Sequence, residues 1–179
     1  MRYHAPMEQQ RVIHTIPPVY DGRSRALVLG SMPSPASRAA AFYYGHPQNR
    51  FWRVMEQLYG LPDHALTQND VRRAFLLDAG IALWDVLASC TIEGASDASI
   101  ADPVPNDLAP LLDAAPIQAV FTTGGTATRL CRRFHGRLLA ERGIEHVGLP
   151  STSPANARLR LPELVEAYRP ILAATNAGH

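Results

Sequence analysis

Lysine is absent from these 179 residues: all 17 basic side chains are arginine. Without an ε-amino group, Schiff-base chemistry is left to the α-amino terminus alone. Cysteine is scarce. Cys90 and Cys131 are the only two and lie far apart, too few for an iron–sulfur cluster or a four-thiolate zinc site. They read as buried thiols, and neither a metal nor another cofactor is expected. No sign of charge dominates: 17 arginines against 16 acidic residues leave a net charge of +1. That excludes a strongly basic coat protein, yet permits DNA binding through a local patch, backbone amides and helix N-termini. No apolar run approaches the ~20 residues of a membrane helix. The N-terminus carries Glu8 early and no apolar segment of the secretory kind, so a cytoplasmic protein without a membrane partner is expected. Gly-x-Ser-x-Gly and Gly-x-Gly-x-x-Gly are both missing, which argues against a serine hydrolase and leaves Gly124-Gly125 as a weak dinucleotide signal at best.

What is present suits one well-packed domain: 46% hydrophobic and 18% charged residues. Four continuous apolar runs read as strands covered on both faces: Ala26–Leu29, Ile81–Trp84, Gln118–Thr122 and His146–Leu149. Helical spacing recurs between and after them, over Arg50–Tyr59, Val71–Asp78, Leu108–Ala114, Thr126–Leu139 and Glu163–Ala174. Alternating strands and helices predict an α/β fold: one three-layer αβα domain around a mostly parallel sheet of about four strands. The domain is expected over residues 23–175, with a looser N-terminal extension (1–22) and a short tail (176–179). Thr91–Asp107, rich in Gly, Ser, Asp and Pro, reads as an exposed loop.

In such sheets ligands bind outside the carboxyl ends of the strands. That rule brings together Ser31–Ser34, Asp85, Thr123–Thr126 and Pro150–Asn156. Ser34-Pro35 and Ser153-Pro154 each fit a helix start, with serine as N-cap and proline in the first turn. Two such starts facing one crevice would favour an anion, with Ser151, Thr152 and Ser153 adding hydroxyl donors. Asn49 either caps the helix that follows or accepts a hydrogen bond from water in a site. Asp85, as a carboxylate, is acceptor-only, unless it merely caps a loop. His46 reads as a packed side chain, with a proton shuttle as the alternative.

Gly30-Ser31-Met32-Pro33-Ser34, the segment His46-Pro47-Gln48-Asn49-Arg50-Phe51-Trp52, and Leu149-Pro150-Ser151-Thr152-Ser153-Pro154-Ala155-Asn156-Ala157 together resemble the uracil-DNA glycosylase superfamily. Within it the pattern is most similar to the hypoxanthine-DNA (deoxyinosine) glycosylase branch. The resemblance implies a monofunctional glycosylase acting on DNA that contains a deaminated base, and a monomer. It makes Asn49 the catalytic residue. Met32 stands where many members carry a water-positioning polar residue, a substitution typical of this branch. Tyr43 or Tyr44 would stack on the flipped base, near Ser31 and Met32, and Asp85 would read its edge. Ser34, Ser151, Thr152, Ser153 and Asn156 would hold the DNA backbone. Leu149 replaces the histidine that relatives use to stabilise the leaving base, and Ala155 and Asn156 occupy the place of a duplex wedge. Uracil or G:U/G:T mismatch excision is the alternative within this class. A non-catalytic binder of nucleotides or damaged DNA is the alternative outside it.

Overall fold

The structure, a computed structural model, describes residues 8–176. Along the chain run β1 (Gln10–Ile13), β2 (Ala26–Gly30), α1 (Pro35–Ala40), α2 (Phe51–Leu58), α3 (Asn69–Ala79), β3 (Ile81–Asp85) and β4 (Leu87–Ile92). A single 3-10 turn at Asp97–Ser99 follows, then β5 (Ala101–Pro105), α4 (Ala109–Ala114), β6 (Ala119–Thr123), α5 (Gly125–Glu141), β7 (Glu145–Leu149) and α6 (Leu161–Asn176).

Four strands form the central sheet in the order β3-β2-β6-β7, and every neighbouring pair is parallel. Their apolar runs are buried on both faces, which is why they read as continuous rather than alternating. Val28, Leu83 and Phe121 point to one face, where Phe51 and Met55 of α2 and Leu164, Tyr168 and Ile171 of α6 cover them. Leu27, Leu29, Ala82 and Val120 point to the other and meet Cys131 and Leu139 of α5 with Leu111 and Leu112 of α4. This is the three-layer αβα arrangement, and each of the four strands lies where its apolar run predicts.

Two segments depart from expectation. Thr91–Asp107 is not simply an exposed loop: β4 and β5 form an antiparallel hairpin joined by β1 into a second, three-stranded sheet. Val12, Val86, Leu87, Cys90 and Ile92 from that sheet enter the second core face. Pro103 and Pro105 fit because β5 is an edge strand, where a missing N–H costs no ladder bond. The described part of the N-terminal extension is not loose either. β1 pairs with β4, and Val19, fully buried, exchanges both backbone hydrogen bonds with Leu83 along the outer edge of β3.

The direction of chain travel reverses between β2 and β6: from β2 it moves outward to β3, from β6 outward to β7. Loops leaving those two strands diverge and open a crevice at their carboxyl ends, where an α/β sheet takes its ligand.

Candidate active site

A cavity of about 330 Å3 opens at this reversal point, lined by Gly30–Ser34, Tyr43, Tyr44, His46, Asn49, Asp85, Asp97, Thr123 and Ser151–Ala155 among others. Asn49 and Asp85, 36 positions apart in the chain, share it. So do all three sequence motifs.

Asp85 ends β3 and is 5% exposed. Its Oδ2 meets His14 Nε2 at 2.8 Å, and both side chains are almost sealed from water. His14 follows β1 directly, so the small sheet carries the imidazole to the Asp85 carboxylate. Gly30 has a definite reason to be glycine: a Cβ there would collide with Asp85 Oδ1. The second carboxylate oxygen is thereby left against the loop of the first motif. Backbone bonds hold that loop to the β3–β4 link, with Val86 N–H donating to the Gly30 carbonyl (2.8 Å) and Leu87 N–H to that of Ser31 (3.1 Å). Asn106 Nδ2 donates to the carbonyls of Asp85 and Leu87 from the far side.

Of the two jobs anticipated for Asn49, the structure shows the cap, and the amide oxygen expected to accept from water is taken up by it and by Thr152. Asn49 Oδ1 accepts the backbone N–H of Phe51 (2.9 Å), the first residue of α2, and the hydroxyl of Thr152 (2.9 Å). These two donors use the lone pairs of the amide oxygen, so that oxygen cannot also accept from water. They also fix which end is which: the amide nitrogen is the free end, with two N–H donors beside the cavity. Thr152, 1% exposed, commits its proton to Asn49 rather than to a phosphate. Arg50 stiffens the junction, its backbone N–H donating to Thr152 O (3.1 Å) and its guanidinium to the carbonyls of Asn156 (2.7 Å) and Leu159 (2.5 Å).

The two tyrosines have separate fates. Tyr43 is 2% exposed and its hydroxyl lies between the Ile16 and Pro17 carbonyls, at 3.1 and 3.0 Å. Tyr44, at φ +52°, stacks on Phe51 with ring centroids 4.0 Å apart and planes 13° from parallel. Its hydroxyl meets Thr123 Oγ1 at 2.9 Å, bridging the aromatic loop to the end of β6. Burial first, and the Asp85 carboxylate second, push both phenols well above the usual tyrosine range, so both stay neutral hydrogen-bonding groups at any physiological pH.

Ser34 caps α1, accepting the Ser37 N–H at 3.1 Å as its Ser-Pro signature predicts. Ser153-Pro154 does not begin a helix. The chain there forms a turn closed by Asn156 N–H on the Ser153 carbonyl (3.0 Å), and α6 starts only at Leu161. Serine and proline fit positions i and i+1 of a β-turn as well as a cap and first turn, which is how the signature misleads. The notion of two helix starts facing one crevice falls with it. Ser151 Oγ accepts the Ser153 N–H (3.1 Å), Ser153 Oγ accepts that of Ala155 (3.2 Å), and Asn156 Nδ2 donates to the Ser151 carbonyl (2.9 Å). Asn156 thus braces the turn from within. The hydroxyl protons of Ser151 and Ser153 remain for a ligand. Met32 is 8% exposed and packs into the second core face beside the pocket.

Sequence reasoning missed two residues of the site, Asp97 in the pocket lining and His14 behind Asp85. His14 lies 71 residues from its partner, in a segment with no local signal. Asp97, in the 3-10 turn, accepts the Ser31 hydroxyl at Oδ1 (3.1 Å) across 66 residues. Desolvation foremost, then the charge of Asp85, raises the Asp97 carboxyl above the ordinary carboxylate range, opposed by Ser31 and Arg129. His46 is exposed at the mouth, its Nδ1 accepting the Gln48 N–H at 3.1 Å. No arginine is among the described residues that line the cavity.

Comparison with known proteins agrees with the geometry. The family model of the uracil DNA glycosylase superfamily matches residues 17–173. A hypoxanthine DNA glycosylase of Methanosarcina acetivorans is 34% identical over 149 residues, 79% of this chain and 87% of that protein. One of Methanosarcina barkeri is 34% identical over 143 residues with the same two coverages. Among solved structures, a solution NMR structure from M. acetivorans, described as a candidate uracil DNA glycosylase, superimposes with a TM-score of 0.73 at 30% identity, covering 90% of this chain and 99% of that one. The chain belongs to the uracil DNA glycosylase superfamily.

Proposed function

We propose that the protein is a monofunctional DNA glycosylase that flips hypoxanthine, the deaminated form of adenine, out of DNA and hydrolyses its glycosidic bond. The observation that carries this reading is the meeting of the Asn49 amide and the Asp85 carboxylate in one nucleobase-sized cavity at the carboxyl ends of the sheet. The Methanosarcina relatives named for the same activity support it.

Unstacking a nucleotide costs a few kcal/mol, less for a mispair. The extruded base lies against Tyr44, whose opposite face is already held by Phe51. Stacking of this kind contributes roughly 1–3 kcal/mol. Asp85 selects the base. With Oδ2 held by His14, Oδ1 accepts the N1–H of hypoxanthine, whereas adenine presents a lone pair there and is repelled. Guanine also carries N1–H, so a close wall must meet its 2-amino group. Ser151 and Ser153, with nearby backbone N–H groups, hold the flanking phosphates, while Ser34, whose hydroxyl caps α1 and donates to Ser37 Oγ, joins Thr152 and Asn156 in positioning the loops around them. Bond cleavage leaves an oxocarbenium-like sugar, and a pocket containing carboxylates and no arginine favours that positive charge. Asn49 donates an N–H to the attacking water and orients it below the anomeric carbon, so its contribution is positioning. The enzyme works as a cytoplasmic monomer without a cofactor.

Alkali-induced strand scission on matched oligonucleotides carrying deoxyinosine, deoxyuridine or a G:T mismatch tests this. Scission is expected chiefly at deoxyinosine. Stronger scission at uracil or mismatched thymine reassigns the substrate, and binding without scission makes the protein a binder.

A further inference from the structure

Hydrolysis releases a proton from water, and the acceptor for it is not Asn49. Its amide oxygen is already occupied by Phe51 N–H and Thr152 O–H, and an amide nitrogen is not basic. Three other side chains at the cavity could serve as bases: His46, Asp85 and Asp97. His46 accepts the Gln48 N–H at Nδ1, so in its neutral form the proton sits on Nε2 and no lone pair faces outward. Asp85 has one oxygen on His14 and the other against Gly30, at the floor where the base edge is read. Asp97 differs from both. Its Oδ1 takes the Ser31 hydroxyl, its Oδ2 has no hydrogen-bond partner among the described residues, and the residue is accessible to solvent. The turn beneath it is fixed: Ser99 Oγ accepts the Glu93 N–H (2.8 Å) and donates to the Ser96 carbonyl (2.6 Å).

We propose that Asp97 is the catalytic base of this pocket, taking the proton of the water that Asn49 orients. The proposal rests on the glycosylase reading and supplies the group that reading lacks. As the C1′–N9 bond breaks, its electron pair leaves with the base. The water oxygen bonds to C1′, and one water proton passes to the Asp97 carboxylate. That proton then neutralises the departing hypoxanthine anion, so one water and one deoxyinosine yield one abasic site and one free base. The Ser31 hydroxyl, held by the first motif, aims the carboxylate. Burial foremost raises its affinity for protons, in the direction that suits a group that must take one and return it.

Single-turnover excision from a deoxyinosine duplex, at saturating full-length enzyme, compares wild type with the isosteric Asp97→Asn across pH. Asp85 with His14 behind it, Cys90, Tyr43, Tyr44, His46 and Arg129 are the other titratable or charged groups around this carboxyl among the described residues. The variant is expected to be about 100-fold slower or more and to lose the rise in rate that wild type shows as pH passes through the raised Asp97 value. Binding of the damaged duplex stays within about threefold, and thermal unfolding shows both proteins folded. Asp97→Ala, partly restored by added formate, gives the same answer without depending on one substitution. A rate within about threefold of wild type overturns the assignment, as does a slower rate that keeps the wild-type pH limb or an alanine variant deaf to formate. Absence of excision by wild type in the same reactions overturns the glycosylase reading, and this assignment with it.

Discussion

His14→Ala removes the one side-chain partner that the Asp85 carboxylate has among the described residues, in a site nearly closed to water. The two side chains are 2% and 7% exposed and 2.8 Å apart. Breaking such a buried pair by deleting one partner costs roughly 3–5 kcal/mol, whereas an exposed ion pair contributes about 0–1 kcal/mol. Because the pocket lets some water reach Asp85 from the loop side, the lower end applies, about 3 kcal/mol. For a chain of this length that corresponds to a fall in Tm of roughly 6–12 °C. Urea unfolding of His14→Ala, Asp85→Ala and the double variant isolates the interaction itself, and a coupling of at least about 1 kcal/mol is expected. The exposed Arg137–Glu141 pair, 2.9 Å but 92% and 60% accessible, provides the control, and Arg137→Ala should stay within about 0.5 kcal/mol of wild type. Additivity of His14 and Asp85 within about 0.5 kcal/mol would refute the reasoning, because their contact would then carry no energy of its own.

Other perturbations read other parts of the site. Thr152→Val deletes the hydroxyl that locks the Asn49 oxygen, so single-turnover excision should fall about 10-fold or more with duplex binding kept, and an unchanged rate removes Thr152 from the mechanism. Asn49→Ala should abolish excision while retaining binding to the damaged duplex. Gly30→Ala drives a methyl into Asp85 Oδ1, so it should cost about 1–3 kcal/mol in chemical unfolding and most of the activity; a stable, active variant contradicts the packing described. Asp85→Asn replaces a pure acceptor with a group that can also donate, and the ratio of hypoxanthine to adenine release should fall. Burial holds the His146 and His135 imidazoles below the usual value of 6.5. The unfolded chain therefore binds protons that the folded one refuses, and stability, complete above pH 6.5, falls as pH drops from there through the lowered folded values. His146→Gln should reduce that loss, measured as Tm between pH 7 and 5.

The central sheet was legible because continuous apolar runs such as Ala26–Leu29 have one physical use, a strand buried on both faces. The small sheet was not. β1 is four residues with only Val12 buried, β5 contains two prolines, and β4 follows β3 with Val86 alone between them and no turn residue to mark the change of sheet. Strands defined by their partners rather than by their own composition leave no periodic trace. The site divides the same way. Asp85 and the serine turn stand at strand ends and can be placed by topology, whereas Asn49, beyond α1, is singled out only by the resemblance of its motif. His14 reaches Asp85, and Asp97 the cavity, only because of where β1 and the β4–β5 hairpin fold, and pairing across 71 and 66 residues has no local signature. Thr152 was noticed for the wrong chemistry: a hydroxyl in a serine-rich loop suggests a phosphate donor, and only its burial shows that it serves Asn49.

Free hypoxanthine collected from a deoxyinosine duplex is the most direct measurement of all. With wild-type protein and no metal or cofactor added, the expected products are the intact free base and an unbroken strand bearing an abasic site, with no borohydride-trapped adduct, in line with the absence of lysine. Recovery of inosine nucleotide, a strand broken before alkali, or no release at all from a duplex the protein demonstrably binds would contradict it.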